Sequence, residues 1–389
     1  EGARWEGRLP QEEFTKPIVR CEVVAIVSRC GDVRFNHLPN NPMKPFKLGV
    51  HPEVYGLFGA LVTRSVERYG CFERGFKVWM DSSDNPICVG LSHRYIQPGH
   101  FVNATVVGHS RCHPTLCRSS YVLPIAPNKN EEVMLAGGLE VDDPTPWEEK
   151  IPAAVWRGQK NGYKTLAQLY TPGISDLPRD IIVKLSRKGQ LGGAAKGLLD
   201  ADFGKMPLEW VFRHRFVVAV SGNSWATILP EALASGSCVI LQEEYAFEWF
   251  HEYLRPWVHY IPVRHDLGDL LERVVWGLGN EGKARDIAEA GRAFARDWFT
   301  PEGVDLHSTR VFRELAELAG GAGEHALEEG LEGLDGRLVP LPPRPPADGA
   351  LRPSTRYRAP GAIVRSQRSG RTTSRRGWDQ DLGWVGQER

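Results

Sequence analysis

Two short apolar runs, Val23-Val24-Ala25-Ile26-Val27 and Val33-Arg34-Phe35, are separated by Cys30-Gly31-Asp32. β-Branched residues on both sides of a Gly-Asp turn predict a hairpin. From Pro52 to Tyr69 the apolar side chains Tyr55, Phe58, Leu61, Val62 and Val66 recur at helical spacing, which predicts an amphipathic helix. Phe76 to Met80 is a compact apolar run ending in Asp81-Ser82-Ser83-Asp84-Asn85-Pro86, a strand followed by a polar turn.

Between residues 126 and 150 the periodicity is lost. Pro127, Gly137-Gly138 and Asp142-Asp143-Pro144 predict a loop-rich connection there. Beyond it, Ala153 to Trp156 reads as a strand ending at Arg157-Gly158, residues 178–186 as a helix, and Phe216 to Val220 as a buried strand. Trp225 to Ser235 reads as a helix stopped by Gly236, Cys238 to Leu241 as a strand, and Trp257 to Val263 as one more strand. Strand, helix and strand joined by short turns describe a parallel βαβ unit. Ala284, Ile287, Ala288, Gly291, Phe294, Ala295 and Trp298 mark an amphipathic helix, and residues 302–319 another. The pattern therefore divides into an N-terminal α/β domain (1–150), a C-terminal Rossmann-type domain (151–319) and a tail (320–389). The tail is rich in Gly, Pro and Arg, with nine Arg against three acids over 351–389 and no apolar period, so disorder is expected.

The 389 residues suffice for two cores at roughly 100–200 residues per domain. Lys plus Arg and Asp plus Glu both number 48, which removes any global electrostatic case for nucleic acid or an anionic membrane surface. No apolar run reaches the ~18 residues of a bilayer span. Six of the seven cysteines (21, 30, 71, 88, 112 and 117) fall in the first 120 residues, and the seventh is Cys238. An even cluster fits a disulfide-stapled secretory domain, with ordinary free thiols as the alternative. The Asn103-Ala104-Thr105 sequon points the same way. Cys112-His113 and Cys117 lack a second ligand pair at zinc spacing, so no metal site is expected. The chain starts at Glu1 with no visible targeting segment and ends Gly386-Gln387-Glu388-Arg389 without a retrieval signal.

Three places carry candidate chemistry. In Val220-Ser221-Gly222-Asn223-Ser224-Trp225 an apolar strand runs through a Gly turn into the predicted helix, whose unpaired N–H groups would face a diphosphate; Asn223 or Ser224 as a plain helix cap is the alternative. Trp156-Arg157-Gly158-Gln159-Lys160-Asn161-Gly162 places Arg157 and Lys160 beside glycines at a strand end, and Arg179 near the next helix start is a third cation. Asp84 follows a strand in the first domain. A carboxylate there can serve as a general base, although Asp before Asn-Pro also forms turns for purely structural reasons.

Gly222-Asn223-Ser224-Trp225, Leu233-Ala234-Ser235-Gly236-Ser237-Cys238-Val239-Ile240, Glu248-Trp249-Phe250 and Leu254-Arg255-Pro256-Trp257-Val258-His259-Tyr260-Ile261-Pro262-Val263 together resemble the signature of glycosyltransferase family 90. Asp266-Leu267 and Asp269-Leu270 continue the pattern, and Val155-Trp156-Arg157-Gly158 resembles the family's aromatic-Arg-Gly motif. The resemblance implies a GT-B-like fold of two Rossmann-like domains facing a cleft. It implies metal-independent, inverting transfer from UDP-glucose or UDP-xylose to a hydroxyl of a protein or polysaccharide acceptor, without a cofactor, in the lumen of the secretory pathway. It further implies Asp84 as catalytic base, with Arg157, Gly158, Gly222, Asn223, Ser224 and Trp225 around the donor; Lys160 and Arg179, donor-site candidates by their own placement, are the cations that could reach the phosphates beside them. Two departures stand out. Ile228 occupies the position, four residues after Ser224, where the family usually has an Arg, and Arg215-Phe216 replaces its Lys-Tyr pair. The Ile228 departure motivates a second expectation, a relative that binds glycan or protein without turnover.

Overall fold

The computed structural model describes residues 23–37, 52–81, 106–108, 111–112, 120–125, 129–141, 145–162, 173–190, 197–243 and 246–319. The first half opens with the anticipated hairpin. Strand β1 (Val23–Val27) pairs antiparallel with β2 (Val33–His37), and helix α1 (Pro52–Tyr69) follows. Strand β3 (Phe76–Asp81) lies on the other side of β1, and β4 (Val106–Gly108) adds parallel to β3. After β5 (Arg111–Cys112), β6 (Ser120–Val122) adds parallel to β4. The sheet order β2-β1-β3-β4-β6 is thus mixed, antiparallel at the hairpin end and parallel at the other. Cys30 in the hairpin turn is disulfide-bonded to Cys71 just beyond α1, with Cα atoms 4.5 Å apart. Cys238 is a buried free thiol whose pKa burial drives up.

The connection expected to be loop contains helix α2 (Lys129–Ala136) and a 3-10 turn at Trp147–Glu149. Helix α2 buries Glu131 and Met134 but leaves Val133 exposed, so its inward stripe has no continuous apolar period to betray it. The second half then runs β7 (Ile151–Gly158), α3 (Pro178–Gln190), β8 (Leu199–Phe203), α4 (Leu208–Val211), β9 (His214–Ala219), α5 (Leu229–Ala234) and β10 (Cys238–Gln242). It continues through β11 (Ala246–Phe247), β12 (Ile261–Val263), α6 (Leu270–Gly279), α7 (Glu281–Trp298) and α8 (Pro301–Ala319). Strands β12-β10-β9-β7-β8 form an all-parallel sheet, the Rossmann-type layer expected for this half, while β11 pairs with β5.

This second sheet is covered on both faces. Val155, Val217, Ala219, Val239 and Leu241 enter one core, and Ala154, Trp156, Phe216, Val218, Cys238 and Ile240 enter the other. Two buried faces require apolar residues at successive positions, which is why these strands read as unbroken runs. The first core is shared with the hairpin sheet and α1, because α8 turns back onto them. Phe312 stacks near Phe58, Phe72 and Phe76, with centroids 5.5–5.9 Å apart. Asp305 accepts from Arg64 at 2.7 and 2.9 Å and from Arg68 at 2.9 Å. All described residues belong to one compact unit.

Two boundaries differ from expectation. The helix anticipated over Trp225–Ser235 spans only Leu229–Ala234, because Pro230 is tolerated in a first turn and not in a helix interior. The strand anticipated from Trp257 starts at Ile261. Trp257 adopts φ 61°, and its N–H donates to Tyr260 O at 2.7 Å, folding residues 255–260 into a turn. Asp84 and the tail 320–389 lie outside the described residues.

Candidate functional site

Strand β7 sends the chain to β8 on one side and to β9, β10 and β12 on the other. A parallel sheet of this order has its topological switch between β7 and β9, and open α/β sheets bind ligands outside the carboxyl ends of the strands at that point. Residues 158–162 leave the carboxyl end of β7, and residues 220–228 leave that of β9. Both glycine-bearing turns of the sequence therefore meet where the topology opens a crevice.

The two turns are laced by Arg179, in the first turn of α3. Its Nε donates to Ser221 O at 3.1 Å and Nη2 to Val220 O at 3.2 Å, while Nη1 donates to Gln159 O at 3.1 Å and to Asn161 Oδ1. Gly222 is required beside it, since a Cβ there would lie 2.7 Å from Arg179 Nη2. From the other side, Ser221 N–H donates to Gln242 Oε1 at 2.9 Å, and the buried Gln242 amide donates to His265 O. Burial lowers the His265 pKa, with Asp266 partly opposing it.

The remaining candidates separate into two groups. Lys160 stands at the mouth with its side chain 68% exposed, 3.4 Å from Asp180. Asn223 is half-buried, and Ser224 and Trp225 are buried in the loop after β9. Ser224 does not begin a helix: Gly222 N–H turns to Trp225 O at 3.4 Å, and the helix starts only at Leu229 with Ile228 at its cap position. Ser224 therefore lies in the loop ahead of the helix rather than at its N-terminus. Arg157 points away from the turns. It donates to Trp156 O, Asp200 O and Asp200 Oδ1, each at 2.9 Å, and lies 4.6 Å from the Trp210 ring centroid. Gly158 keeps the strand end open for the folded-back Trp156 ring, only 2.6 Å from where a Cβ would be.

Ile228 packs, partly buried, against the core. Glu231, in the first turn of α5, has its pKa raised by burial, opposed by its own backbone N–H and by Asn130, whose Nδ2 donates to it at 3.1 Å. Arg215 sits at the amino end of β9, paired with Glu281 at 3.0 Å, so the replacement of the Lys-Tyr pair lies remote from the turns. Sequence reasoning missed Gln159, Asn161 and Gln242. For Gln242 a signal existed: one amide ends the otherwise apolar run Cys238-Val239-Ile240-Leu241. Among the described residues, no group of three or more His, Cys, Asp or Glu is disposed to hold a metal ion, and no helix is long and apolar enough to cross a membrane.

A family model for glycosyl transferase family 90 matches residues 132–322. The matched stretch contains Arg157, Gly158, Lys160, Arg179 and Gly222 to Trp225, and does not reach Asp84. Protein O-glucosyltransferase 2 of Danio rerio is 31% identical over 177 residues, 44% of this chain and 34% of that protein. Protein O-glucosyltransferase 3 of Mus musculus is 35% identical over 121 residues, 31% of this chain and 24% of that protein. The chain thus spans about a third or less of the length of these relatives. Among solved structures, a sucrose-phosphate synthase from Thermosynechococcus elongatus overlays at a TM-score of 0.34 with 19% identity, covering 56% of this chain and 59% of that one. Anabaena Alr3699/HepE in complex with UDP overlays at 0.32 with 11% identity, covering 56% and 64%.

Proposed function

We propose, from the match of residues 132–322 to the family model for glycosyl transferase family 90, that the chain transfers glucose or xylose from a UDP-sugar to a hydroxyl of a protein or polysaccharide acceptor. The observation that carries this reading is the pair of glycine turns held by Arg179 at the switch point of the parallel sheet, within the family-matching stretch. In the proposed reaction the Asp84 carboxylate removes the acceptor hydroxyl proton as that oxygen bonds to C1 of the sugar. The bond from C1 to the phosphate oxygen breaks with inversion, and its electron pair leaves with UDP. Arg179 and Lys160 supply positive potential for the developing diphosphate charge, which favours departure without a metal ion. The Cys30–Cys71 disulfide supports an oxidising, secretory-lumen setting.

The test is UDP-[14C]glucose and UDP-[14C]xylose turnover by the full chain over protein and polysaccharide acceptors, with and without EDTA. Asp84→Asn is expected to lower kcat by at least ~100-fold while UDP affinity stays within about twofold. An Asp84→Asn protein as active as wild type would remove Asp84 from the mechanism. Ile228, packed against the core in place of a cation, favours a second reading in which the chain binds a glycan or protein without turnover. UDP binding with no transfer across the acceptor panel is its signature.

A further inference from the structure

The carboxyl end of β6 in the first sheet and the segment 247–252 beyond β10 in the second form, with α8, an open cleft of about 460 Å³. None of the donor-side candidates lines it. It is nevertheless joined to them through one strand end: Gln242, which holds the Ser221 N–H, lies at the carboxyl end of β10, a few residues before the cleft wall begins at Phe247. The wall is cross-tied between the halves. His307 Nε2 donates to Val122 O at 2.7 Å, and its Nδ1 lies 3.0 Å from the Tyr253 hydroxyl. Arg310 pairs with Glu252, and Tyr121 OH donates to Glu314 at 3.0 Å. His251 stacks on Phe250 with centroids 4.7 Å apart and meets the edge of Phe247 at 5.8 Å.

Three carboxylates (Glu248, Glu252 and Glu314) line this space with one arginine, Arg310. That balance disfavours a diphosphate. The volume falls in the range of small-ligand pockets, roughly 300–1,000 Å³, which a folded acceptor domain cannot enter. A carboxylate accepts up to about four hydrogen bonds, so glutamates already paired within the wall retain capacity for hydroxyl donors. Tyr121, Phe247 and His251 supply ring surface for the apolar face of a pyranose. We infer that the cleft bounded by Tyr121, Phe247, His251 and Glu314 is a carbohydrate subsite, taking one or two neutral sugar rings on the acceptor side of the proposed transfer.

The placement on the acceptor side rests on the transferase reading, whereas the ligand chemistry can be tested without it. The probes are methyl glycosides and disaccharides of glucose, xylose, galactose and mannose, followed by saturation-transfer NMR and titration on the full chain, with UDP titrated separately. Glu314 is exposed on α8, so Glu314→Trp fills the cleft without disturbing the core; Glu317→Trp on the same helix, outside the cleft, controls for surface change. At least one probe is expected to bind wild type and Glu317→Trp alike and to bind Glu314→Trp at least ~10-fold more weakly, with UDP affinity within about twofold of wild type. Glycoside binding that Glu314→Trp leaves unchanged overturns the inference, as does a wild-type protein that binds no probe. A wild-type protein that binds a glycoside but not UDP overturns the transferase reading and leaves the cleft's ligand chemistry standing.

Discussion

Four hydrogen bonds from one guanidinium cross between residues 159–161 and 220–221. A lysine at position 179 would keep the charge but not the fork, because an ammonium is a compact point donor that cannot reach both turns at once. Arg179→Ala should lower stability by roughly 2–3 kcal/mol, and Arg179→Lys should recover less than half of that, since hydrogen bonds to charged groups contribute ~1.5–3 kcal/mol and those sharing one side chain are not additive. Urea unfolding reads the stability. UDP titration should show both variants weakened at least ~10-fold, because the turns lose their relative position. A lysine variant that binds UDP like wild type would show that charge alone suffices. At Ile228 the logic reverses: an apolar side chain is held by packing, and an introduced Arg would have to leave that contact before reaching any phosphate.

Helix α8 belongs to the last part of the chain but is fastened to the first. Asp305, its side chain 3% exposed, is gripped by Arg64 and Arg68 of α1, and Thr309 Oγ1 donates to the buried Ser65 hydroxyl at 2.9 Å. Removing one partner of a buried ion pair strands the others, so Asp305→Ala should cost roughly 3 kcal/mol in urea unfolding, and a double-mutant cycle with Arg64→Ala should return a coupling above ~1 kcal/mol. A second fastening joins α4 and α5: the buried Lys150 ammonium donates to Phe212 O at 2.5 Å, Ser237 Oγ at 3.0 Å and Ser235 O at 3.4 Å. Burial, with a smaller contribution from Arg292, lowers its pKa from 10.5 to about 8. Between these values the unfolded chain still holds the proton that the folded one has released. The penalty of the buried charge is therefore full below pH about 8 and fades as pH rises to 10.5. Lys150→Met should abolish this gain in relative stability, on the order of 3 kcal/mol, when urea midpoints are compared across that range.

Which elements the sequence betrays depends on how continuous their buried face is. The α1 and α7 helices were legible because each has an uninterrupted apolar stripe, and β7, β9 and β10 because both faces are buried. Strand β8 escapes the pattern because Asp200 and Asp202 alternate with Leu199, Ala201 and Phe203, leaving too little apolar signal. The loop after β9 reads as helix because Trp225 and Ala226 are buried for packing reasons unrelated to helical period, while Pro230 marks the true start. At the site, the glycines and Arg179 stood out by residue type. That Arg157 serves Asp200 and Trp210 instead depends on which face of β7 it leaves, which no local pattern states.

The seam between the two halves has its own acid sensitivity. His307 on α8 reaches Val122 O of the first sheet, while Tyr253 and Glu252 come from the segment leading away from the second. Burial alone would raise the Glu252 carboxyl, but hydrogen bonding and charge from His307, the charge of Arg310 and the Tyr253 hydroxyl outweigh it and bring the pKa from 4.5 down to about 2. A carboxylate depressed in the folded state contributes stability that is present above its ordinary pKa and is lost as pH falls through the folded one. Glu252 should therefore begin to weaken the seam below pH 4.5 and finish near pH 2. With its side chain 29% exposed, solvent screening reduces the effect to on the order of 1–2 kcal/mol. Glu252→Gln removes the titrating group, so its stability relative to wild type should improve steadily as pH is lowered from 5 to about 3. Intrinsic tryptophan fluorescence during urea unfolding is a suitable readout, because Trp249 lies 5.2 Å from His307 and Trp298 stacks on Tyr253 at 3.7 Å. Parallel pH profiles for the two proteins would show that the charge of Glu252 does not hold the halves together.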